Sequence, residues 1–152
     1  MALEALESLL EQERGGVFFM PEHVAPKAVQ AVAKRAGFAF FHVEGKNIEK
    51  KEQLLNHVAT ALHFPGHFGH NWDALEECLV DMEWADADGF VIYYDHTDGL
   101  QMAHPDQFET FVEICRDAVA SWKEDGTAMV VLLCGTKAPK GVGKLSAKVQ
   151  DD

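Results

Sequence analysis

Cysteine is scarce in this sequence: Cys78, Cys115 and Cys134 stand far apart and no C-x-x-C pair occurs. An odd, scattered set excludes a disulfide framework and a cysteine-based zinc finger, and it suits a reducing compartment. Long apolar runs are missing as well, the longest spanning five to seven residues, against the roughly 20 needed to cross a bilayer. The opening MALEALESLL carries acidic residues where a secretion signal would carry basic ones, so neither a membrane anchor nor an export signal is expected. Basic residues are few: 13 Lys and Arg face 25 Asp and Glu, a formal net charge of -12. Four of those lysines fall in the last 18 residues, which leaves the body of the chain with 9 basic against 23 acidic groups. Such a surface repels phosphate backbones and anionic membranes and attracts basic proteins, although excess acidity also aids solubility by itself. Enzyme motifs are absent too. There is no G-x-S-x-G elbow, no GxGxxG and no phosphate loop, and Gly135-Thr136-Lys137 lacks the upstream glycine of a Walker sequence.

What is present is a chain of 152 residues, 47% hydrophobic, long enough to bury a core without metal or disulfide staples. Leu3, Leu6, Leu9 and Leu10 recur at helical spacing over residues 2–13, before Gly15-Gly16. A short apolar run over 17–20 reads as a strand, and residues 24–36 read as a helix stopped by Gly37. Residues 38–43 form a buried strand and 50–62 a helix burying Leu54, Leu55, Val58, Ala61 and Leu62. A helix follows from Asn71 to about Glu83, then a strand over 90–94, a long helix over 105–124 and a last strand over 128–134. Strands alternating with helices predict an α/β domain with a parallel sheet. Residues 135–152, rich in Gly and Lys, are expected to be a mobile tail.

The segment from Phe64 to Leu79 carries the functional signal. Asn71 suits an N-cap, and Asp73 in the first turn would face the positive end of the helix dipole. Leu75, Cys78, Leu79 and Met82 form an inner stripe, while Asp73, Glu76, Glu77 and Asp81 fall three or four residues apart on the outer side. Between Asn71 and Asp88 there are seven carboxylates and no Lys or Arg. Like charges so spaced cost helix stability, a cost that a cationic partner offsets. A solvated face of a soluble protein is the competing reading.

Several residues near this segment read two ways. Trp72 serves equally well as a contact anchor or as packing against Leu62. His57, His63, His67 and His70 invite a metal reading, but Pro65 and Gly66 break the helix between them and no carboxylate or cysteine partner has fixed spacing, so no metal and no cofactor is expected. Cys115 and Cys134 read as small buried apolar groups.

The stretch P-x-x-F-G-x-N-W-D-A-L, present as Pro65, Phe68, Gly69, Asn71, Trp72, Asp73, Ala74 and Leu75, resembles the barstar family of intracellular ribonuclease inhibitors. The order of elements agrees over about residues 37–134, with 1–36 and the Lys-rich tail outside the resemblance. The resemblance implies a three-stranded parallel sheet packed with helices, here extended by an N-terminal strand and helix. It also implies inhibition by a loop and helix that plug a nuclease active site. Asp73 matches an acidic contact, Glu77 the family's principal one with a methylene added, and Asp117 a third with a methylene removed. Gly69 and Asn71 fit the loop. His67 and Glu76 depart, standing where the family has an aromatic residue and a tryptophan.

The expectation is therefore a single barstar-like α/β domain, with residues 1–36 packed on the same domain, 37–134 as its body and 135–152 as the tail. It would bind a basic ribonuclease or toxin through His67, Phe68, Gly69, Asn71, Trp72, Asp73, Glu76, Glu77 and Asp117. It would work as a cytoplasmic inhibitor, monomeric when free, with no catalytic residue of its own. A regulatory module for a basic protein that is not a nuclease is the first alternative, and an unrecognised small-molecule enzyme the second.

Overall fold

Two apolar runs, FVIYY and AMVVLLC, have no polar face to offer water, so they must be covered on both sides. They form the central strands. A computed structural model describes residues 2–64, 70–82, 85 and 87–145. In chain order it contains α1 (Ala2–Glu11), β1 (Gly16–Met20), α2 (Pro26–Arg35), β2 (Ala39–Glu44), α3 (Lys51–Ala61), α4 (Trp72–Val80), β3 (Gly89–Asp95), α5 (Asp98–Ala103), α6 (Pro105–Glu124), β4 (Ala128–Cys134) and β5 (Gly143–Lys144). The strands make one parallel sheet in the order β2-β3-β4-β1-β5. Every residue of β3 and β4 is buried.

Alternation along the strands divides the interior into two layers. Phe41, Val43, Phe90, Ile92, Tyr94, Met129, Val131 and Leu133 face α3, α4 and α6, meeting Leu54, Leu55, Val58, Leu75, Leu79, Phe111 and Cys115. Val91, Tyr93, Val130, Leu132 and Cys134 face the other way, onto Leu6 and Leu10 of α1 and Val29, Val32 and Ala33 of α2. Residues 1–36 thus do two things: β1 widens the sheet beside β4, and α1 with α2 closes its second face. The register into β2 is set by a tight stop after α2. Gly37, at φ 81, donates to Lys34 O (3.0 Å), and Phe38 N donates to Ala33 O (2.9 Å), the paired bonds that end a helix on a left-handed residue.

The structure departs from expectation in three places. α4 ends at Val80 and not near Glu83, because Asp81 leaves helical geometry (φ -126, ψ 70) while Met82 still turns inward and is buried. α5 was not foreseen. In the segment expected to be a mobile tail, β5 pairs with Phe18 and Phe19 of β1, Leu145 N donates to Phe19 O (2.9 Å), and Val142 and Leu145 are buried. Two apolar side chains suffice to seat a stretch of glycine and lysine when an open strand edge is beside them.

Candidate functional site

The helix α4 is short, and nine residues would not hold alone in water. It is fixed from three sides. At its start the Asn71 side chain accepts from Ala74 N at 2.8 Å, satisfying one of the helix's orphan donors. Along its inner face Leu75 and Leu79 are fully buried in the layer under α3 and α6. At its end the Trp122 indole on α6 donates to Leu79 O at 2.8 Å, capturing a carbonyl the helix cannot use itself.

With the inner face so held, the outer face is determined. Asp73, Glu76, Glu77, Val80 and Asp81 are exposed, at the i, i+3, i+4, i+7, i+8 spacing of one helical stripe. Among the described residues, none of these four carboxylates forms a salt bridge. Asp73 lies in the first turn, where the dipole favours it, but Glu77 and Asp81 approach the negative end, and the last turn holds no basic residue. The resulting field is felt by Cys78, whose thiol is pushed up by burial and then by the neighbouring Glu77 and Asp81. A surface arranged this way gains by meeting positive charge.

Of the residues expected to bind, Asn71, Trp72, Asp73, Glu76 and Glu77 are therefore displayed together by α4 and its cap. Trp72 is half-buried, packed on the core, with Lys51 Nζ 5.1 Å from its ring centroid, so it serves first as the wall between α3 and α4. Asp117 is exposed on α6, the helix against which α4 packs. His67, Phe68 and Gly69 lie outside the described residues. His57 is occupied locally, its Nδ1 2.7 Å from Gln53 O.

Sequence reading passed over a second set. Among the described residues, the group of His, Cys, Asp and Glu able to converge on one point is His23, Asp95 and His96, on the layer of α1 and α2. Asp95 and His96 are adjacent at the end of β3, but His23 comes from the loop after β1, 72 residues before Asp95, so no local spacing announces the set. The other two cysteines are inert by position: burial pushes the Cys115 thiol far up, and that of Cys134 up as well.

No helix among the described residues is long and apolar enough to cross a membrane. A search of curated proteins found no match to this chain. A family profile described as Barstar (barnase inhibitor) matches residues 38–134, from the start of β2 to the end of β4. That span contains α4, Asp117 and three of the sheet's strands, and inhibitors of this family are not enzymes. The chain belongs to the barstar (barnase inhibitor) family.

Proposed function

We propose that this chain inhibits a basic, barnase-like ribonuclease, or a toxin of related chemistry, by covering its RNA-binding site with residues 67–71, the outer face of α4 and Asp117. The observation that carries this reading is the stripe Asp73, Glu76, Glu77 and Asp81, exposed together and forming no salt bridge among the described residues, in a chain of the barstar family. An enzyme that cleaves RNA must present Arg and Lys to phosphates, and carboxylates on a pinned helix can satisfy those cations in the substrate's place. Because α4 is anchored at its cap, its inner face and Leu79 O, little ordering entropy remains to be lost on binding. Opposite charge speeds encounter, and the short-range contacts of Asp73 and Glu77 hold the complex. An inhibitor of this kind acts where the nuclease would damage the cell's own RNA, in the cytoplasm.

The test is RNA cleavage by a panel of basic ribonucleases, with and without the purified chain and its Glu77→Ala variant. Inhibition by the parent, relieved in the variant by about 2 kcal/mol or more, roughly thirtyfold in affinity, supports the reading. No inhibition of any member by a folded chain overturns it. One observation favours a second reading: Glu76, exposed on α4, occupies the position where the family resemblance calls for a tryptophan. Interfaces draw much of their energy from such aromatic anchors, so a basic partner of another kind, bound mainly by charge, is what failure of the nuclease panel would leave.

A further inference from the structure

Asp95 closes β3 and is 2% exposed, yet it carries a carboxylate at the carboxyl end of a parallel sheet, where open α/β sheets gather ligands. Its Oδ1 accepts from Gly45 N at 3.2 Å and lies 3.3 Å from His96 Nδ1. Its Oδ2 lies 3.2 Å from His23 Nε2 and 3.0 Å from His42 Nε2. Three imidazoles from three segments therefore surround one buried carboxylate. Burial pushes this carboxyl up, but the contacts from His42, Gly45 N–H, His23 and His96 together outweigh it and hold the group below the ordinary aspartate value.

The surroundings are built to keep this arrangement. His96 sits at φ 50, a left-handed backbone that non-glycine residues seldom adopt and that tends to mark functional positions. A Cβ on Gly45 would stand 2.2 Å from Asp95 O, so only glycine brings that amide to the carboxylate. The loop carrying His23 is pinned by Tyr93, whose hydroxyl accepts from Val24 N (3.3 Å) and donates to Val24 O (2.8 Å). His23 and His96 nonetheless stay open to solvent, with 47% and 48% of their side chains exposed, and their rings are 5.0 Å apart.

We propose that His23, Asp95 and His96 bind a divalent first-row transition ion such as Zn²⁺, with His42 and Gly45 orienting the carboxylate. The donor atoms of the three ligands lie within 4.8 Å of one another. Neighbouring donors in a tetrahedral zinc site with bonds of about 2.0–2.1 Å are about 3.3 Å apart. His23 Nε2 stands 3.2 Å from Asp95 Oδ2 and His96 Nδ1 3.3 Å from Oδ1, so each imidazole has that spacing to one oxygen of the carboxylate, and a small rotation of the exposed rings would bring both onto a shared ion. Two imidazoles with one carboxylate suit zinc and its neighbours over Mg²⁺ or Ca²⁺, which prefer oxygen. His42 and the Gly45 amide hold the carboxylate as outer-shell partners do, and the solvent side leaves a fourth position for water. His23 lies before the family match and Asp95 with His96 within it. The ion would clasp the N-terminal layer to the inhibitor domain.

The full chain, free of any affinity tag and stripped of metal, is titrated with Zn²⁺ by calorimetry and with Co²⁺ by visible absorption. One Zn²⁺ per chain, a raised Tm and four-coordinate Co²⁺ bands are expected. His23→Gln and His96→Asn, both at half-exposed side chains and checked for folding by circular dichroism, should each weaken binding at least about tenfold. The double variant should abolish it. A folded parent that takes up no Zn²⁺, a double variant that binds as the parent does, or equal uptake of Ca²⁺ overturns the assignment.

Discussion

The two faces of this sheet treat carboxylates in opposite ways. On the side of α3, α4 and α6, Asp73, Glu76, Glu77 and Asp81 stand exposed on a helix whose last turn holds no basic group. On the side of α1 and α2, Asp95 is buried and met by the Gly45 amide and three imidazoles. Charge left unsatisfied at a surface is available to a partner, whereas charge satisfied inside the fold stabilises the chain that holds it. The same residue type thus serves association on one face and architecture on the other, and substitutions should separate the two roles.

The largest effect on stability is expected at the buried group. Asp95→Asn keeps the shape but removes the negative charge from its partners, and hydrogen bonds to charged groups contribute about 1.5–3 kcal/mol. A loss of about 3 kcal/mol in urea unfolding is the expected outcome. The pH dependence carries a definite sign. Because the folded carboxyl lies below its ordinary value, its contribution is present above the unfolded pKa of about 3.9 and disappears as pH falls through the lower folded one. The gap between parent and Asp95→Asn should therefore narrow in acid. A constant gap from neutral pH to below 3 would mean that shape, and not charge, is what Asp95 contributes.

Glu77→Ala should reverse the pattern. Truncating an exposed carboxylate changes stability by no more than about 0.5 kcal/mol, while the affinity for a ribonuclease falls by about 2 kcal/mol or more. Comparable losses in unfolding and binding would place Glu77 among the packing residues and erase the contrast between the faces.

What could be read from the chain follows the range of each signal. α6 begins and ends where the periodicity places it, because Pro105 opens it and Phe108, Phe111, Val112 and Cys115 repeat on one face. The acidic stripe of α4 was legible for the same reason: its residues are neighbours in sequence, and Asn71 caps it as its residue type suggests. α5 was not legible, being six residues with Gly99 inside and Leu100 its buried residue. Nor was β5, whose place is decided by backbone pairing with Phe18 and Phe19 and not by its own Gly143 and Lys144. The Asp95 group depends on residues 23, 42, 45, 95 and 96, which only the parallel register of β2 on β3 and the loop after β1 bring together.

A smaller effect should test how α4 is held. Trp122→Phe keeps most of the ring packing against Phe90, whose centroid is 4.9 Å away, but removes the donor to Leu79 O. The expected cost is about 1 kcal/mol. Amide exchange should quicken in α4 while β3 and β4 remain protected. If exchange rose equally in both, the helix would share the core's unfolding unit and not be an element pinned onto it.

The smallest effect should have the opposite sign. Asp81 follows the last turn of α4, four residues from Glu77, so its charge meets both the negative end of the helix and a like carboxylate. Asp81→Asn removes both repulsions and should raise stability by about 0.3–0.5 kcal/mol at low salt, fading as salt screens the charges. The same change should slow association with a basic partner, again most clearly at low salt. Stability gained and association lost from one substitution is the signature of a surface kept acidic for its partner. A variant no more stable than the parent would show that the repulsion along α4 is already relieved by solvent, and the acidity of this helix would then carry no cost for function to explain.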